Sequence, residues 1–275
     1  MAHAAVPTHT FIYWNGPSGS DDNEQQITLV DRAIARRHFG IVLTPSAPFA
    51  LDTVIESALT HEIPVVILGS AIDLPPNRLL SFVLNDDQRS GELAAARVHQ
   101  LLGAKGEVAL AGDDAMWPSS RICARAFEAA LHRDAPEIRI VGRLSGDYTP
   151  GTAETALERV IQEHPHLDAI YSLRIGITHG AVSALRDMHR EGKVVLIGND
   201  QSLDLLFLLR QGTIDSLVVE DMRAMGEQAI GNILALRHGD SVQPVNYHEP
   251  VLVTRDNIDT EAVQERLRMD WRPQP

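Results

Sequence analysis

Polar side chains follow most of the short apolar runs in this sequence, and their types suit them to chemistry. The run Val194–Ile197, for example, leads through Gly198 directly to Asn199 and Asp200. A carboxylate is seldom buried without a partner, so Asp200 in this position calls for one. In open α/β sheets, ligands bind beyond the carboxyl ends of the strands. We therefore treat the residues that follow each run as candidates for a binding site.

The candidates combine carboxylates, amides, arginines and aromatic rings. Carboxylates, amides and guanidinium groups exchange hydrogen bonds with hydroxyl groups, whereas flat rings cover the C–H face of a sugar. The mixture therefore suits a small polyhydroxylated ligand. The residues that follow the runs include Thr44, Asn85, Asp86, Asp87, Asp113, Asp114, Trp117, Asp147, Tyr148, Arg174, Asn199, Asp200 and Glu220.

Several of these residues also have a purely structural interpretation. Asp86 or Asp87 could cap the helix that follows, and so could Asp200. Arg174 could form a structural ion pair, and Trp117 could lie at the edge of a core. The sequence alone leaves these alternatives open.

The apolar runs alternate with segments of helical periodicity, which predicts an α/β protein. The runs are continuous and rich in Val and Ile, as expected of parallel strands that are buried on both faces. Between them, apolar residues recur at the 3.6-residue spacing of helices. The predicted strands are Phe11–Trp14, Gly40–Leu43, Pro64–Leu68, Ser81–Leu84, Glu107–Leu110, Ile138–Val141, Ala169–Ser172, Val194–Ile197, Ser216–Val219 and Val251–Thr254.

Ten predicted strands are more than one compact parallel sheet usually holds. Two doubly wound domains are therefore expected. The predicted N-terminal lobe contains residues 1–85 and 221–249. The predicted C-terminal lobe contains residues 86–220 and 250–275. Periodicity alone does not place the points at which the chain crosses between the lobes.

Composition and motifs argue against several classes of function. The formal net charge of -13, without a Lys/Arg cluster, disfavours nucleic acid as a partner. No dinucleotide or P-loop glycine motif follows a run, Gly-x-Ser-x-Gly is absent, and the 12 histidines lack zinc-ligand spacing. We therefore expect no enzyme, no cofactor and no metal ion. The single cysteine, Cys123, falls in a predicted helix and is interpreted as a small buried residue.

Seven segments occur in an order that resembles the periplasmic sugar-binding proteins similar to ribose-binding protein. They are SDDNEQQITLVDRAIARRHFGIVLTPSAP, HEIPVVILGS, LNDDQRSGELAA, SSRICARAFEAAL, KVVLIGND, TIDSLVVEDMRAMGEQAI and PVLVTRDNID. The resemblance extends over nearly the whole chain. It implies the type I periplasmic binding protein fold, in which a hinge joins two lobes, and which lac-repressor-class effector domains share.

The resemblance implies a solute-binding protein of an ABC-type sugar uptake system that closes over a small carbohydrate without catalysis. The expected partners are this carbohydrate and a membrane permease, and the expected location is periplasmic. No signal peptide is recognised in residues 1–10, and no apolar run is long enough to span a membrane. The alternative is the effector-binding domain of a regulator, which would need an upstream helix-turn-helix segment.

Single residues can be matched to the family's binding site. Arg121 matches an arginine that clamps sugar hydroxyls, and Asp200 matches an aspartate that accepts hydrogen bonds from them. Tyr148 falls near an aromatic residue that stacks on the sugar ring. The resemblance thus implies that these three side chains contact the ligand.

Other positions depart from the family's pattern. Arg174 stands where Asn or Asp is common, Glu220 where Gln is usual, and Thr44 where Asn or Ser is common. Gly69 with Ser70 replaces an Asp-Arg pair, and Asn199 replaces an aromatic residue. The ligand is therefore expected to differ from ribose.

The family's first strand-helix unit is not recognised in this sequence. FIYWNG resembles the second strand of the family, and only residues 1–10 precede it. Because the missing loop would supply stacking rings, Trp14, Trp117 and Tyr148 are expected to take that role. A missing strand would also open a sheet edge, which could lead to a homodimer.

Overall fold

The computed structural model describes residues 11–17, 22–47, 49–146 and 148–268. These residues belong to two compact units, each with its own sheet and core. Unit 1 contains the residues up to Asn85, Asp221–His248 and the segment from Arg266. Unit 2 contains Asp86–Glu220 and Glu249–Glu265.

Helices and strands alternate along the chain, as the sequence predicts. Their order is α1 (Asn23–Ala35), β1 (Ile41–Leu43), α2 (Asp52–Thr60), β2 (Val65–Gly69), β3 (Leu80–Asn85), α3 (Asp87–Leu102), β4 (Lys105–Asp113), α4 (Pro118–Asp134), β5 (Glu137–Ser145), α5 (Pro150–Glu163), β6 (Ala169–Ser172), α6 (Ile175–Asp187), β7 (Val195–Asn199), α7 (Leu203–Gln211), β8 (Ser216–Val219), α8 (Met222–His238), β9 (Val245–His248), β10 (Val251–Thr254) and α9 (Glu261–Leu267). Within the described residues, no helix has the length and hydropathy needed to cross a bilayer.

Unit 1 is a parallel sheet in the order β1-β2-β3-β9 with helices on both faces. Successive side chains of a strand point to opposite faces. Val65 and Ile67 of β2 therefore belong to the core that α1 and α2 cover, whereas Val66 belongs to the core that α8 covers. Because both faces are covered, β2 reads as a continuous apolar run in the sequence.

Unit 2 contains a sheet in the order β10-β8-β7-β6-β4-β5. β10 is antiparallel to β8, and the other pairs are parallel. Helices α3 and α4 cover one face through residues such as Phe127, which packs on Tyr171. On the other face, Gly142 of β5 lies against Val160 of α5. The predicted doubly wound α/β architecture is confirmed in both units.

Two glycines allow neighbouring helices of unit 2 to approach closely. A methyl group on Gly91 of α3 would overlap the carbonyl oxygen of Cys123 in α4 and would lie 2.7 Å from Phe127 N. A methyl group on Gly180 of α6 would lie 2.5 Å from Pro150 O in α5. These neighbours are backbone atoms, which cannot rotate away as a side chain does. The helix pairs therefore depend on glycine at these two positions.

The prediction that Phe11–Trp14 forms a strand is wrong. Its four side chains are between 53% and 82% exposed, and no described strand lies beside it. An apolar, aromatic segment becomes a strand only where a neighbouring strand supplies backbone hydrogen bonds.

Strand β9 was not predicted from the sequence, because Asn246 and His248 interrupt its apolar character. It is nevertheless paired with β3 along the edge of the unit 1 sheet.

The two units differ from the predicted lobes in two places. Glu249 belongs to unit 2, and the segment from Arg266 belongs to unit 1. The second difference has a visible cause, because Arg266 Nε lies 3.8 Å from Asp221 Oδ2 in unit 1. Such long-range pairings leave no trace in local periodicity, so the sequence does not reveal these crossing points.

Candidate functional site

The carboxyl ends of the parallel strands in unit 2 carry most of the predicted site residues. Strands β5, β4, β6, β7 and β8 are parallel neighbours, so their carboxyl ends lie along one edge of the sheet. Arg121 lies in the first turn of α4, which follows β4. The other predicted residues at this edge are Trp117, Tyr148, Arg174, Asn199, Asp200 and Glu220. The structure therefore gathers at one edge the residues that the sequence scatters over about a hundred positions.

Asp200 follows β7 in a backbone conformation that most residues avoid. Its φ is +77°, in the left-handed region where Asp and Asn are among the tolerated residues. Its N–H donates to Val218 O at 2.8 Å, and its Oδ1 accepts a hydrogen bond from Gln201 N at 2.7 Å. No other hydrogen bond to this carboxylate comes from the part of the chain that the structure describes. Burial raises the pKa of Asp200 above its ordinary value.

The helix-cap interpretation of Asp200 is wrong. Helix α7 begins after Ser202, whose Oγ accepts a hydrogen bond from Leu205 N at 3.4 Å. Asp200 lies two residues before this cap and makes no hydrogen bond to the helix. Its carboxylate therefore accepts from Gln201 N and takes no part in capping α7.

Arg174 is fixed between an aromatic ring and a carboxylate. Its Cζ lies 5.1 Å from the centroid of the Trp117 ring, a cation–π arrangement. Its Nη1 lies 3.8 Å from Oδ2 of Asp114, which is buried and also accepts a hydrogen bond from Met116 N at 2.9 Å. The structural interpretation of Arg174 is thus supported by an ion pair with Asp114. The same contacts orient the guanidinium and the indole ring at the end of β6 and β4.

The two aspartates at the start of α3 have different environments. Asp86 is the N-cap, because its Oδ1 accepts a hydrogen bond from Arg89 N at 2.9 Å. Asp87 is half-buried beside Ser119, and its burial raises its pKa to about 6, with a smaller contribution from the charge of Asp86. The sequence left open which of the two caps the helix, and the structure assigns that role to Asp86.

Replacing Asp87 with asparagine is expected to raise the free energy of unfolding above pH 6. The pKa rises from 3.8 in the unfolded chain to about 6 in the folded protein, so between these values only the folded protein keeps the proton. Stability therefore falls as the pH rises through this window and stays lowered above it. The variant should gain roughly 1–3 kcal/mol at pH 8 and little at pH 4, as measured by urea unfolding at both values.

A matched control for this experiment is Glu163→Gln. Glu163 is exposed at the end of α5, so removing its charge should change stability by only a few tenths of a kcal/mol at either pH. A gain for Asp87→Asn that was equal at pH 4 and pH 8, or absent at both, would contradict a carboxyl group whose pKa rises to about 6 in the folded protein.

A buried polar group lies beneath the strand ends of unit 2. Cys123 Sγ lies 2.8 Å from Tyr171 Oη, which in turn lies 3.4 Å from Asn199 Oδ1. Burial raises the pKa of the Cys123 thiol to about 12, and the nearby carboxylates of Asp87 and Glu220 contribute to the rise. The thiol stays protonated, which confirms the interpretation of Cys123 as a buried residue without nucleophilic character.

Unit 1 also carries polar residues at its strand ends. Thr44 follows β1, and its carbonyl oxygen accepts a hydrogen bond from Gln26 Nε2 at 2.9 Å, while Gln26 Oε1 accepts one from Ser46 N at 2.8 Å. The buried Gln26 side chain thereby fixes the loop and leaves Thr44 exposed. Asn85, the last residue of β3, is 8% exposed, and its Oδ1 has no hydrogen-bond partner among the described residues. A buried acceptor without a partner is costly, so Asn85 is a further candidate for a ligand contact.

The remaining predicted residues are less constrained. Trp14 belongs to unit 1 and is 68% exposed, and no described aromatic ring stacks on it. Tyr148 is half-buried beyond the end of β5 in unit 2. Asp147 lies outside the described residues. The stacking roles expected of Trp14 and Tyr148 therefore stay predictions.

Reasoning from the sequence missed two residues of interest, Gln201 and Tyr171, and the raised pKa of Asp87. The roles of Asp87 and Gln201 depend on burial, which the sequence does not reveal: the Gln201 side chain is 8% exposed and its Oε1 lacks a partner in the described chain. Tyr171 lies within an apolar strand and reads as an ordinary core residue. Their only signal is a position at or near the end of a buried strand.

One group of carboxylates could hold a cation by geometry alone. Glu154, Glu158 and Asp187 each have an oxygen within 4.8 Å of the others. They lie on α5 and at the end of α6, where α6 has returned to the amino edge of the sheet. Exposed acidic groups of this kind are common without an ion, so the group has no part in the candidate site.

Two doubly wound units whose strand ends carry hydrogen-bonding side chains and rings define a class, the α/β proteins that bind small molecules. The family model described as periplasmic binding protein domain matches residues 2–241. The chain belongs to this family. The resemblance found in the sequence is confirmed, and so is the prediction of a binding protein that is not an enzyme. Membership also places the chain outside the cytoplasm.

Characterised relatives and solved structures agree with this assignment. The ribose import binding protein of Bacillus subtilis is 23% identical over 81% of this chain and 71% of its own length. The D-ribose/D-allose-binding protein of Pseudomonas aeruginosa is 26% identical over 81% of this chain and 70% of its own. A solute-binding protein of an ABC transporter from Agrobacterium vitis, solved with bound D-fucose, has a TM-score of 0.83 and 27% identity, and covers 93% of this chain and 88% of its own.

Proposed function

We propose that this chain binds a small carbohydrate as the solute-binding protein of an ABC-type uptake system, without a covalent step. The observation that carries the proposal is the placement of Asp200 in unit 2. A largely buried carboxylate lies beyond a buried strand, does not cap the next helix, and uses one oxygen for Gln201 N. Relatives that import ribose, or that bind ribose and allose, support a sugar as the ligand.

The chemistry of the strand ends in unit 2 suits sugar hydroxyls. A carboxylate accepts hydrogen bonds from hydroxyl groups, and a guanidinium donates hydrogen bonds to their oxygens. Asp200 is therefore suited to the hydrogen of a sugar hydroxyl, and Arg121 to the oxygen of one. The indole ring of Trp117 offers a flat apolar surface for a C–H face. The proposed contacts in unit 2 are Asp86, Trp117, Arg121, Tyr148, Arg174, Asn199, Asp200 and Glu220. Thr44 and Trp14 of unit 1 stay predictions from the family resemblance.

The permease of the transporter is the expected docking partner of the loaded protein, and the expected location is the periplasm. The relatives named above serve import or sugar binding, so nothing in them favours the regulator alternative. Three expectations stay predictions: the two lobes close over the ligand, nucleic acid is not a partner, and a homodimer forms at the edge of β1.

A thermal-shift screen tests the proposed function. D-ribose, D-allose, D-fucose and D-arabinose are compared with a matched set of free amino acids at millimolar concentration. A ligand at 100 times its Kd stabilises the protein by about 2.7 kcal/mol, which should raise Tm by roughly 5–10 °C. A response to amino acids without any response to carbohydrates would overturn the assignment.

A further inference from the structure

Three side chains of unit 2 form a continuous chain of hydrogen bonds from the core to the strand ends. Cys123 lies on α4, Tyr171 on β6 and Asn199 at the end of β7. The contacts are 2.8 Å from Sγ to Tyr171 Oη and 3.4 Å from Oη to Asn199 Oδ1. Tyr171 pairs with Ile197 across the two strands, so Asn199, two residues further along, points to the same face of the sheet.

The protons of this chain can be ordered from its chemistry. The thiol and the phenol each carry one hydrogen, because burial raises the pKa of both groups and keeps them protonated. An amide oxygen is a strong acceptor and a thiol sulfur is a weak one. Tyr171 therefore donates its hydrogen to Asn199 Oδ1, and Cys123 donates its hydrogen to Tyr171 Oη.

This order decides which end of the Asn199 side chain faces outward. Tyr171 is fully buried, whereas Asn199 is half-buried at the strand end. The end of the amide that touches Tyr171 is its oxygen, so the accessible end is the NH2 group. Asn199 therefore presents two hydrogen-bond donors, directly before the acceptor carboxylate of Asp200.

We propose that Tyr171 is a positioning residue for ligand recognition: its hydroxyl holds the Asn199 amide so that the NH2 group points to the ligand. The inference rests on the proposed function. A donor beside the Asp200 acceptor recognises a hydroxyl group, which can accept from Asn199 and donate to Asp200. A ligand with only a C–H face at this place leaves both groups unpaired, so the pair selects a hydroxylated carbon there.

Isothermal titration calorimetry with the sugar that gives the largest thermal shift tests this role. Tyr171→Phe removes the hydroxyl group and keeps the ring that packs on Phe127. It should weaken binding about fivefold, the equivalent of one ordinary hydrogen bond. Tyr247→Phe is the matched control, because Tyr247 is 66% exposed in unit 1, and it should leave affinity unchanged.

A second background separates positioning from general structural support. In Asn199→Ala protein, the hydroxyl of Tyr171 has no amide to hold, so adding Tyr171→Phe should change the affinity by less than twofold. A fivefold loss that persisted in the Asn199→Ala background would overturn the proposal, since Tyr171 would then act through another group. An unchanged affinity of Tyr171→Phe in the wild-type background would overturn it as well.

The orientation of Asn199 can also be tested without any ligand. The side-chain amide resonance of Asn199 in a ¹⁵N-asparagine spectrum is identified as the signal that Asn199→Asp removes. Tyr171→Phe should shift this resonance, and Tyr247→Phe should not. An unmoved resonance would refute the Tyr171 contact whatever the screen shows. If no sugar binds but the resonance moves, the proposed function fails and the contact stands.

Discussion

Replacing Asp200 with asparagine is expected to weaken sugar binding by about 2–4 kcal/mol, at least roughly 30-fold in Kd. Asparagine tolerates the left-handed backbone at this position and keeps the shape of the side chain. It removes the charge and turns part of the acceptor into a donor. Calorimetry with the tightest sugar of the screen measures the loss. Asp187→Asn, on the exposed end of α6 away from the strand ends, should keep the wild-type affinity.

Arg121→Ala should produce a loss of similar size, because a guanidinium that donates to ligand hydroxyls cannot be replaced by water at a buried contact. Arg125→Ala is the matched control, since Arg125 lies one turn further along α4 and is exposed. Unchanged affinity in both Asp200→Asn and Arg121→Ala would remove the proposed site from these strand ends.

Gly91→Ala is expected to destabilise the protein by about 3 kcal/mol or more. The added methyl group would overlap the carbonyl oxygen of Cys123 and lie 2.7 Å from Phe127 N, so α3 and α4 must move apart. The helices bury a common core with Val98 and Leu131, and separating them opens that core. The midpoint and free energy of urea unfolding, followed by circular dichroism, measure the effect.

A second glycine in unit 2 supplies the comparison. Gly151 lies in the first turn of α5, and a methyl group there would meet nothing within 4 Å. Gly151→Ala should therefore be neutral or stabilise the protein by up to about 1 kcal/mol, because alanine restricts the unfolded chain. If Gly91→Ala were as well tolerated as Gly151→Ala, the two helices would not depend on close backbone contact.

The α/β architecture was predictable because most of its strands appear in the sequence as apolar runs. Strands such as β2 and β7 are covered on both faces, so their sequences are continuous apolar stretches that can be recognised without a structure. The edge strand β9 was missed because Asn246 and His248 do not need to be apolar at an edge. Phe11–Trp14 was wrongly assigned because composition does not show whether a neighbouring strand is present.

The site was predictable in outline and not in its details. Strand-end positions singled out Asp200 and Arg174, because ligands of α/β proteins bind at that edge. The assignment of Arg121 came from family resemblance and not from spacing. Neither route found the contact between Tyr171 and Cys123, which depends on two elements that meet across 48 residues of sequence. Neither route found the raised pKa of Asp87, because it depends on how far the fold covers this carboxyl group.

Unit 1 is assembled from segments far apart in the chain, and this has a consequence for its biosynthesis. Strands β4 to β8 of unit 2 have all been synthesised when the ribosome reaches Val219, whereas β3 of unit 1 gains its neighbour β9 only with Val245–His248. The sheet formed by β1, β2 and β3 therefore stays incomplete, with one edge of β3 unpaired, while more than a hundred further residues are synthesised. In any chain that is still incomplete, the open edge of β3 is thus an exposed site for pairing with another chain until Val245–His248 is present.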